Sequence, residues 1–418
     1  MLHRLGVDSF SHGIRMDVDP LPEVDKGRCR LFFCALCYSC IPLTVAGVDW
    51  SDGCLRGCGK RLGAFFCDGV RTALVRETYL RSVVRRKVEM TCCAAWNRDK
   101  EVLGESTSGG VFSAIAEKVV AVGGIVVGAA YDADMNVRHK VVEKKEELRR
   151  LRGVKYVKGV ICKEVYHAIR EALAAERKVL FSGLPCQAAA VRRMFGNDAN
   201  LLVCDLVCFG APPHALWRKY IDWMEAKRGK KLVNVNPRDK RHGWGRKTYC
   251  RYEWEDGQIV RRLSLFDPYA QAFYMAIAFG PACYDCRFKG ANSKADITLC
   301  DFWGAERLGL SDAVLQGGVS GVMVRTERGE KAFAAADVEK WEVGFDEMAN
   351  ANYPVLHSAA KPERWSEFAG DMEMMDFGEL AKKYGMQKTW ASYAVGRMRS
   401  IVGSVSRFMI KAKGEGRA

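Results

Sequence analysis

The pattern of apolar and polar positions changes at about residue 91. Before it, no stretch keeps a two-residue or a 3.6-residue period, so residues 1–90 predict no core-forming element. After it, Phe112, Ile115, Ala116, Val119 and Val120 recur at helical spacing behind Gly109-Gly110, which predicts a helix over 111–122. Gly123-Gly124 ends that helix and a strand follows at 125–130. The alternation continues with a helix at 160–175, a short buried strand at 178–181, a helix at 187–194, a strand at 201–207 and a helix at 214–228. Strands that alternate with helices predict an α/β fold on a mostly parallel sheet with helices on both faces. Residues 231–265 depart from this. Two strand-like runs, 248–254 and 258–265, flank Glu255-Asp256-Gly257, and Asp-Gly there signals a hairpin and thus an antiparallel insertion. Strand-like residues at 297–299 and 321–324 resume the sheet. The expected organisation is a cysteine-rich segment 1–90, a folded unit 91–375 and a basic tail 376–418.

Composition narrows the class. The 418 residues are 49% hydrophobic and 28% charged, ordinary for a globular chain, and the length allows two or three domains. No run of 18 apolar residues predicts a membrane span. Asp8, Arg15, Asp17, Asp19 and Glu23 interrupt any signal-peptide pattern, so a cytoplasmic location is expected. There are 17 cysteines, an odd number. In a reducing compartment a disulfide framework is not expected, which points to metal or cluster ligation, with the other thiols buried as small apolar side chains. The formal net charge of +15 permits an anionic partner without choosing nucleic acid, membrane surface or acidic substrate. Part of the excess lies at 380–418, where nine Lys/Arg face the single acid Glu415. There Trp390, Tyr393, Ile401, Val405, Phe408 and Met409 suit either peripheral contact with an anionic membrane or a solvated tail.

Candidate chemistry falls in loops that follow predicted parallel strands, where α/β sheets place ligands. Cys186 lies in Ser182-Gly183-Leu184-Pro185-Cys186-Gln187, at the start of a predicted helix whose dipole would favour a thiolate. Cys208 lies in Asp205-Leu206-Val207-Cys208-Phe209-Gly210. Cys283 and Cys286 form a Cys-x-x-Cys pair. Adjacent strands can bring Cys186 to Cys208, and the pair would complete a four-thiolate set for a metal or iron–sulfur centre. The alternative is a redox dithiol and two buried cysteines. Ser106-Thr107-Ser108-Gly109-Gly110 precedes a helix and suits either a phosphate cradle or an ordinary N-cap. Further upstream, Cys29, Cys34, Cys37 and Cys40 begin with ferredoxin-like spacings, but Thr44 stands where a bacterial cluster run needs its fourth cysteine.

Together these segments resemble the beta-subunit family of coenzyme F-420 hydrogenases and dehydrogenases. The resemblance runs from about Ala94 to Arg325. It rests on the order of Ser106 to Phe112, Leu-Arg-Gly-Val-Lys-Tyr-Val from Leu151, Leu180 to Gln187, Asp205 to Pro213, Arg238-Asp239-Lys240 with Gly243-Trp244, Cys283 to Phe288, and Asp-Ile-Thr-Leu-Cys-Asp-Phe-Trp-Gly from Asp296. It implies an oxidoreductase that passes electrons between a 4Fe–4S cluster and FAD and on to a partner or small substrate. The partner would be a ferredoxin, a deazaflavin or a nicotinamide, and one branch of the family works in surface-polysaccharide synthesis. By the same resemblance, Ser106, Thr107, Ser108, Gly109, Gly110 and Lys155 would contact FAD. Asp301 would help close its pocket, and Cys186, Cys208, Cys283 and Cys286 would hold the cluster. The sequence departs from the family in three ways. Phe209 replaces a histidine, Lys294 replaces an arginine, and residues 1–90 lack clean ferredoxin runs, which fits a diverged, frame-shifted or disordered segment. Two other readings remain: an inactive relative serving as a membrane-surface scaffold, and a zinc-stabilised nucleic-acid-binding protein. No nucleic acid is expected on the leading reading.

Overall fold

The structure, a computed structural model, describes residues 90–245 and 248–388. The cysteine-rich segment at 1–89 and the basic stretch at 389–418 lie outside the described residues. In chain order, β1 (Thr91–Asn97), α1 (Lys100–Glu105), α2 (Val111–Ala121), β2 (Ile125–Tyr131) and β3 (Val137–Val142) come first. They are followed by α3 (Lys163–Ala174), β4 (Val179–Gly183), α4 (Pro185–Phe195), β5 (Leu201–Leu206) and α5 (His214–Arg228). Then come β6 (Leu232–Asp239), β7 (Tyr249–Trp254), β8 (Ile259–Leu263), α6 (Pro268–Tyr274) and β9 (Ile297–Asp301). The last are α7 (Asp312–Gly317), β10 (Ser320–Val324), α8 (Glu327–Ala334), β11 (Val338–Glu342), α9 (Phe345–Ala351), α10 (Trp365–Met374) and α11 (Phe377–Lys383).

Eight strands form one sheet in the order β11-β1-β10-β9-β5-β4-β2-β3. Its centre, β2-β4-β5-β9, is parallel. These strands are almost wholly buried, as near-continuous apolar runs covered on both faces must be. Alternate residues serve opposite layers. Val126, Leu180, Leu202 and Ile297 pack in a cluster with Val111 and Ile115 of α2. Ile125, Val127, Val179, Phe181, Leu201 and Val203 pack with Val165 and Ile169 of α3 and Ala188 and Val191 of α4. The predicted α/β sheet with helices on both faces is therefore present, and antiparallel pairs extend it at each edge. The predicted antiparallel insertion is a separate three-stranded sheet, β6-β7-β8. It shares a core with α5, α6, α10 and α11, through Trp217, Tyr220, Tyr252, Phe368 and Phe377.

Two boundaries differ from expectation. The helix predicted from residue 160 starts at Lys163, because Val160 forms a β-bridge with Arg138 instead. The folded part also runs past 375, since Phe377, Leu380, Ala381, Tyr384 and Met386 are buried in the core around α5. Only the part of the tail beyond Lys388 lies outside the described residues.

One carboxylate joins three segments behind the parallel centre. Asp296, 1% exposed, accepts from Arg192 (2.7 Å) and the Val203 N–H (2.8 Å) on one oxygen, and from Thr326 (2.9 Å) and Arg328 (3.1 Å) on the other. Removing it would leave two guanidinium groups and a buried N–H unpaired. Asp296→Ala is expected to lower the unfolding free energy by about 3–5 kcal/mol in urea titration, and a change under about 1 kcal/mol would show that Asp296 is not the tie between these segments.

Candidate functional site

A cavity of about 310 Å³ opens at the C-terminal ends of the parallel strands, lined there by Ser182 and Gly183, by Leu206 and by Asp301. That is where open α/β sheets present ligands. Its first edge is the 106–110 loop with the first turn of α2. Gly110 is the N-cap of α2 at φ +75°, with no side-chain cap, and Val111, Phe112 and Ser113 line the cavity. The first-turn N–H groups have no helical acceptors, and together with the helix dipole they make a seat for an anion. Arg152 lines the same edge, tied by its Nε to Ser113 (3.2 Å) and by its guanidinium to Glu105.

Of the seven predicted FAD contacts, six line the cavity: Ser106, Thr107, Ser108, Gly110, Lys155 and Asp301. Gly109 does not. A Cβ there would lie 2.2 Å from the Ala95 carbonyl oxygen and 2.6 Å from the Ser320 nitrogen, so Gly109 presses the loop onto β1 and β10. The hydroxyls have separate tasks. Ser106 donates to the Val102 carbonyl and Ser108 to the Val319 carbonyl, both at 2.7 Å. Thr107 accepts from the Val154 N–H at 2.8 Å, which leaves its own proton for a ligand.

Two lysines, Lys155 buried and Lys240 half-buried, set the shape of these loops. The Lys155 ammonium donates to the carbonyls of Leu151 (3.2 Å), Arg152 (2.8 Å) and Gly153 (2.9 Å). Burial pulls its pKa down to about 7. Lys240 donates to the carbonyls of Leu103 (2.6 Å), Ser108 (2.9 Å) and Gly317 (2.5 Å), and burial, with Arg238 nearby, pulls it down to about 8. Lys155 therefore borders the cavity with its Nζ committed to backbone. Asp301 is ion-paired to buried Arg238 and accepts from the Trp244 indole at 3.2 Å. Burial works against the Arg238 charge, but Asp301 and Tyr156 outweigh it and hold the guanidinium above its ordinary range.

The opposite wall is aromatic. Tyr156, at φ +44°, stacks on Phe273 with centroids 4.2 Å apart, and Phe209 meets Phe273 edge-on at 6.0 Å. Phe209, where the family places histidine, is thus part of an apolar surface fit for a planar ring.

The four predicted cysteines converge beside that wall. Cys186 follows Pro185 at the start of α4, Cys208 follows β5, and Cys283 and Cys286 flank Tyr284-Asp285. Burial pushes the Cys208 thiol up to about 12; Lys289 opposes this, and Cys283, Cys186 and Cys286 add to it. Burial also raises Cys186, with Lys158 opposing and Cys283 and Cys286 adding. The expected helix-dipole advantage for a Cys186 thiolate is therefore outweighed. Lys289 donates to the carbonyls of Cys208 and Pro354, beneath the set. Among the described residues no three His, Cys, Asp or Glu are drawn close enough for a single metal ion. A four-iron cluster spans a wider set of thiolates than one ion does, and its positive irons would relieve the mutual repulsion. Cys208 lines both the cavity and a smaller crevice that Cys286 and Lys289 share.

His139 was not legible from sequence, where it is a lone histidine in a short strand. It is 2% exposed and lines the cavity. Burial pulls its pKa down to about 4, although the carbonyls of Val160 and Ser182 favour its charged form. The unfolded chain takes up a proton below about pH 6.5 that folded His139 refuses until about pH 4. Stability tied to this group is thus complete above pH 6.5 and is lost as pH falls through that window. His139→Gln is expected to remove about 3 kcal/mol of the stability loss between pH 6.5 and 4, measured by urea unfolding at both pH values. An equal loss in both proteins would contradict a neutral, buried imidazole.

Residues 176–347 match the family model that describes the C terminus of the coenzyme F420 hydrogenase/dehydrogenase beta subunit. Among solved structures, a chain of the F420-reducing NiFe hydrogenase complex from Methanosarcina barkeri, studied by xenon derivatization, is 19% identical. The match covers 63% of this chain and 88% of that one, with a TM-score of 0.43, too low to carry an argument. No curated protein matches. The matched region spans β4 to β11 and contains Cys186, Cys208, Cys283, Cys286 and Asp301. Over residues 176–347 the chain is therefore similar to the C-terminal part of the coenzyme F420 hydrogenase/dehydrogenase beta subunit.

Proposed function

We propose that residues 91–388 form a redox domain that joins a 4Fe–4S centre to an FAD site and serves an electron-transfer partner. The observation that carries this reading is the place of Cys208. It borders the cavity on one side and belongs to the four-cysteine set on the other. When bound, FAD supplies two-electron chemistry that can be fed by single electrons from an iron–sulfur centre. The residues present fit both groups. The open first turn of α2, Thr107 and Arg152 suit the phosphates. Tyr156, Phe209 and Phe273 form a dry face for a ring, and Arg238 paired to Asp301 holds the adjoining edge in one conformation. Cys186, Cys208, Cys283 and Cys286 would hold the cluster, beside Lys289, whose charge burial disfavours and Cys208, Cys286 and Cys283 favour.

No side chain on the aromatic wall can donate a proton in place of the missing histidine at position 209, except the Tyr156 hydroxyl, which burial holds far above its ordinary pKa. Proton delivery to a small-molecule acceptor would thus come from the acceptor's own surroundings or from solvent. A cytoplasmic setting suits the free thiols. Surface-polysaccharide synthesis is the setting that the family resemblance favours. The partner would be a ferredoxin, a deazaflavin or a nicotinamide.

The test is anoxic purification with iron, sulfide and flavin quantified. The wild type should carry flavin and, from this domain, about four irons per chain. Cys283→Ala and Cys286→Ala should each lose iron and sulfide and keep flavin. Colourless wild-type protein would sink the reading, and iron retained in both variants would remove the pair from the ligand set.

A further inference from the structure

The loop that carries Cys283 and Cys286 is crossed by a second segment, residues 353–365. The Cys286 N–H donates to the Ser358 hydroxyl at 2.9 Å, and the Lys289 ammonium donates to the Pro354 carbonyl at 3.0 Å. Leu356 lies over Gly290, where an added Cβ would come to 3.3 Å from its Cδ2. Further along, the Lys361 Nζ sits 4.0 Å from the centre of the Trp365 ring, and that ring meets Tyr284 edge-on at 6.0 Å. On the outside of the crossing Tyr353 is 58% exposed and Leu356 47%, and the exposed His357 ring stacks on Tyr353 at 4.6 Å. Exposed cations flank these groups: Arg287 next to Cys286, Lys361, and Lys158, whose charge opposes the effect of burial on Cys186. Residues 281–294 and 353–365 carry five Lys/Arg against the two acids Asp285 and Glu363. The thiols themselves reach the surface, since Cys186 is exposed and Cys283 and Cys286 are half-buried.

We propose that this surface, Tyr353 and Leu356 flanked by Arg287, Lys361 and Lys158, docks a small acidic protein that carries single electrons. This rests on the redox reading of the four cysteines and adds the place where their electron partner binds. Exposed apolar side chains inside a charged rim are the anatomy of a protein interface, with the rim steering the encounter. Redox carriers use small interfaces of this kind, because they must leave after each transfer. One encounter moves one electron: the carrier is oxidised by one electron and the iron–sulfur centre is reduced by one. The chain's own segment 1–89 does not suit the surface by charge, since it carries 14 Lys/Arg against 10 Asp/Glu. A bilayer would also attract the cations, but it would gain nothing from the nearby thiols, whereas an electron carrier needs them close.

The test uses the full chain purified anoxically with its iron and flavin. A reduced acidic 2Fe–2S ferredoxin and a reduced acidic flavodoxin are each mixed with it in stopped flow. The wild-type second-order rate should fall about tenfold or more between about 50 and about 500 mM salt. Arg287→Glu combined with Lys361→Glu should take electrons from the carrier about tenfold more slowly at low salt, while iron, flavin and the rate of reduction by dithionite stay at wild-type values. Lys331→Glu combined with Lys340→Glu makes the same change of net charge on α8 and β11 and should react as wild type does. Lys361→Glu alone should slow the reaction about threefold, and it decides the question if the double variant loses iron. Wild-type rates in the Arg287 and Lys361 variants would overturn the proposal, as would equal slowing in the α8 and β11 variant. A holoprotein reduced by dithionite but by neither carrier would overturn it too. Cosedimentation with phosphatidylserine vesicles that the Arg287 and Lys361 changes abolish would assign the surface to a membrane and overturn it. Wild type purified without iron or flavin would defeat the redox reading itself, and the proposal with it.

Discussion

Two lysine ammonium groups, Lys155 buried and Lys240 half-buried, hold together the loops on which the cavity depends. The turn at 150–155 and the loop at 106–110 leave the sheet without strand partners for their carbonyls. Lys155 collects the carbonyls of one, and Lys240 ties the other to the turn at Gly317. Each lysine is lowered by burial, to about 7 and about 8, yet each keeps donors aimed at three or more oxygens. With those carbonyls turned onto lysine, the first-turn N–H groups of α2 can face the cavity. The backbone then presents donors to an anion, and its acceptors are spent elsewhere.

The same division of polarity runs across the cavity. One edge is amide and guanidinium, the opposite wall is Tyr156, Phe209 and Phe273, and the third side is bare backbone with the His139 ring. Four thiols gather behind the aromatic wall, where burial first and the neighbouring cysteines second raise the pKa values of Cys186 and Cys208. A metal cluster binds thiolates, so assembling one here would release protons and couple occupancy to pH. Lys289, beneath Cys208, offsets part of that cost.

Much of this was legible in the sequence because parallel strands buried on both faces are continuous apolar runs, and β2, β4, β5 and β9 are such runs. The helices α2, α4 and α5 declared themselves by spacing and by Gly or Pro at their ends. The strands that escaped are the antiparallel ones at the sheet edges. β1 is rich in Cys and Ala, β3 mixes Arg, His and Lys with valine, and β11 exposes four of its five residues. Their pairing is a property of the assembled sheet. At the site, residue types with strong local signatures, the hydroxyl-glycine loop and the cysteines, pointed to segments that the fold brings to the cavity or beside it. What they would touch was not legible. Gly109 turned out to support the loop, and Lys155 to be a backbone clamp. Lys240 and His139 gave no local signal, because each acts on atoms far from it in sequence.

The proposed flavin site lies between the α2 N-terminus and the aromatic wall. Hydrogen exchange of the flavin-free protein, with and without saturating FAD, tests it directly. The account predicts slower exchange in 106–113, 151–157 and 182–187, and unchanged exchange in the hairpin of β7 and β8. Protection confined to the hairpin, or no protection in the three segments once FAD is bound, would contradict it.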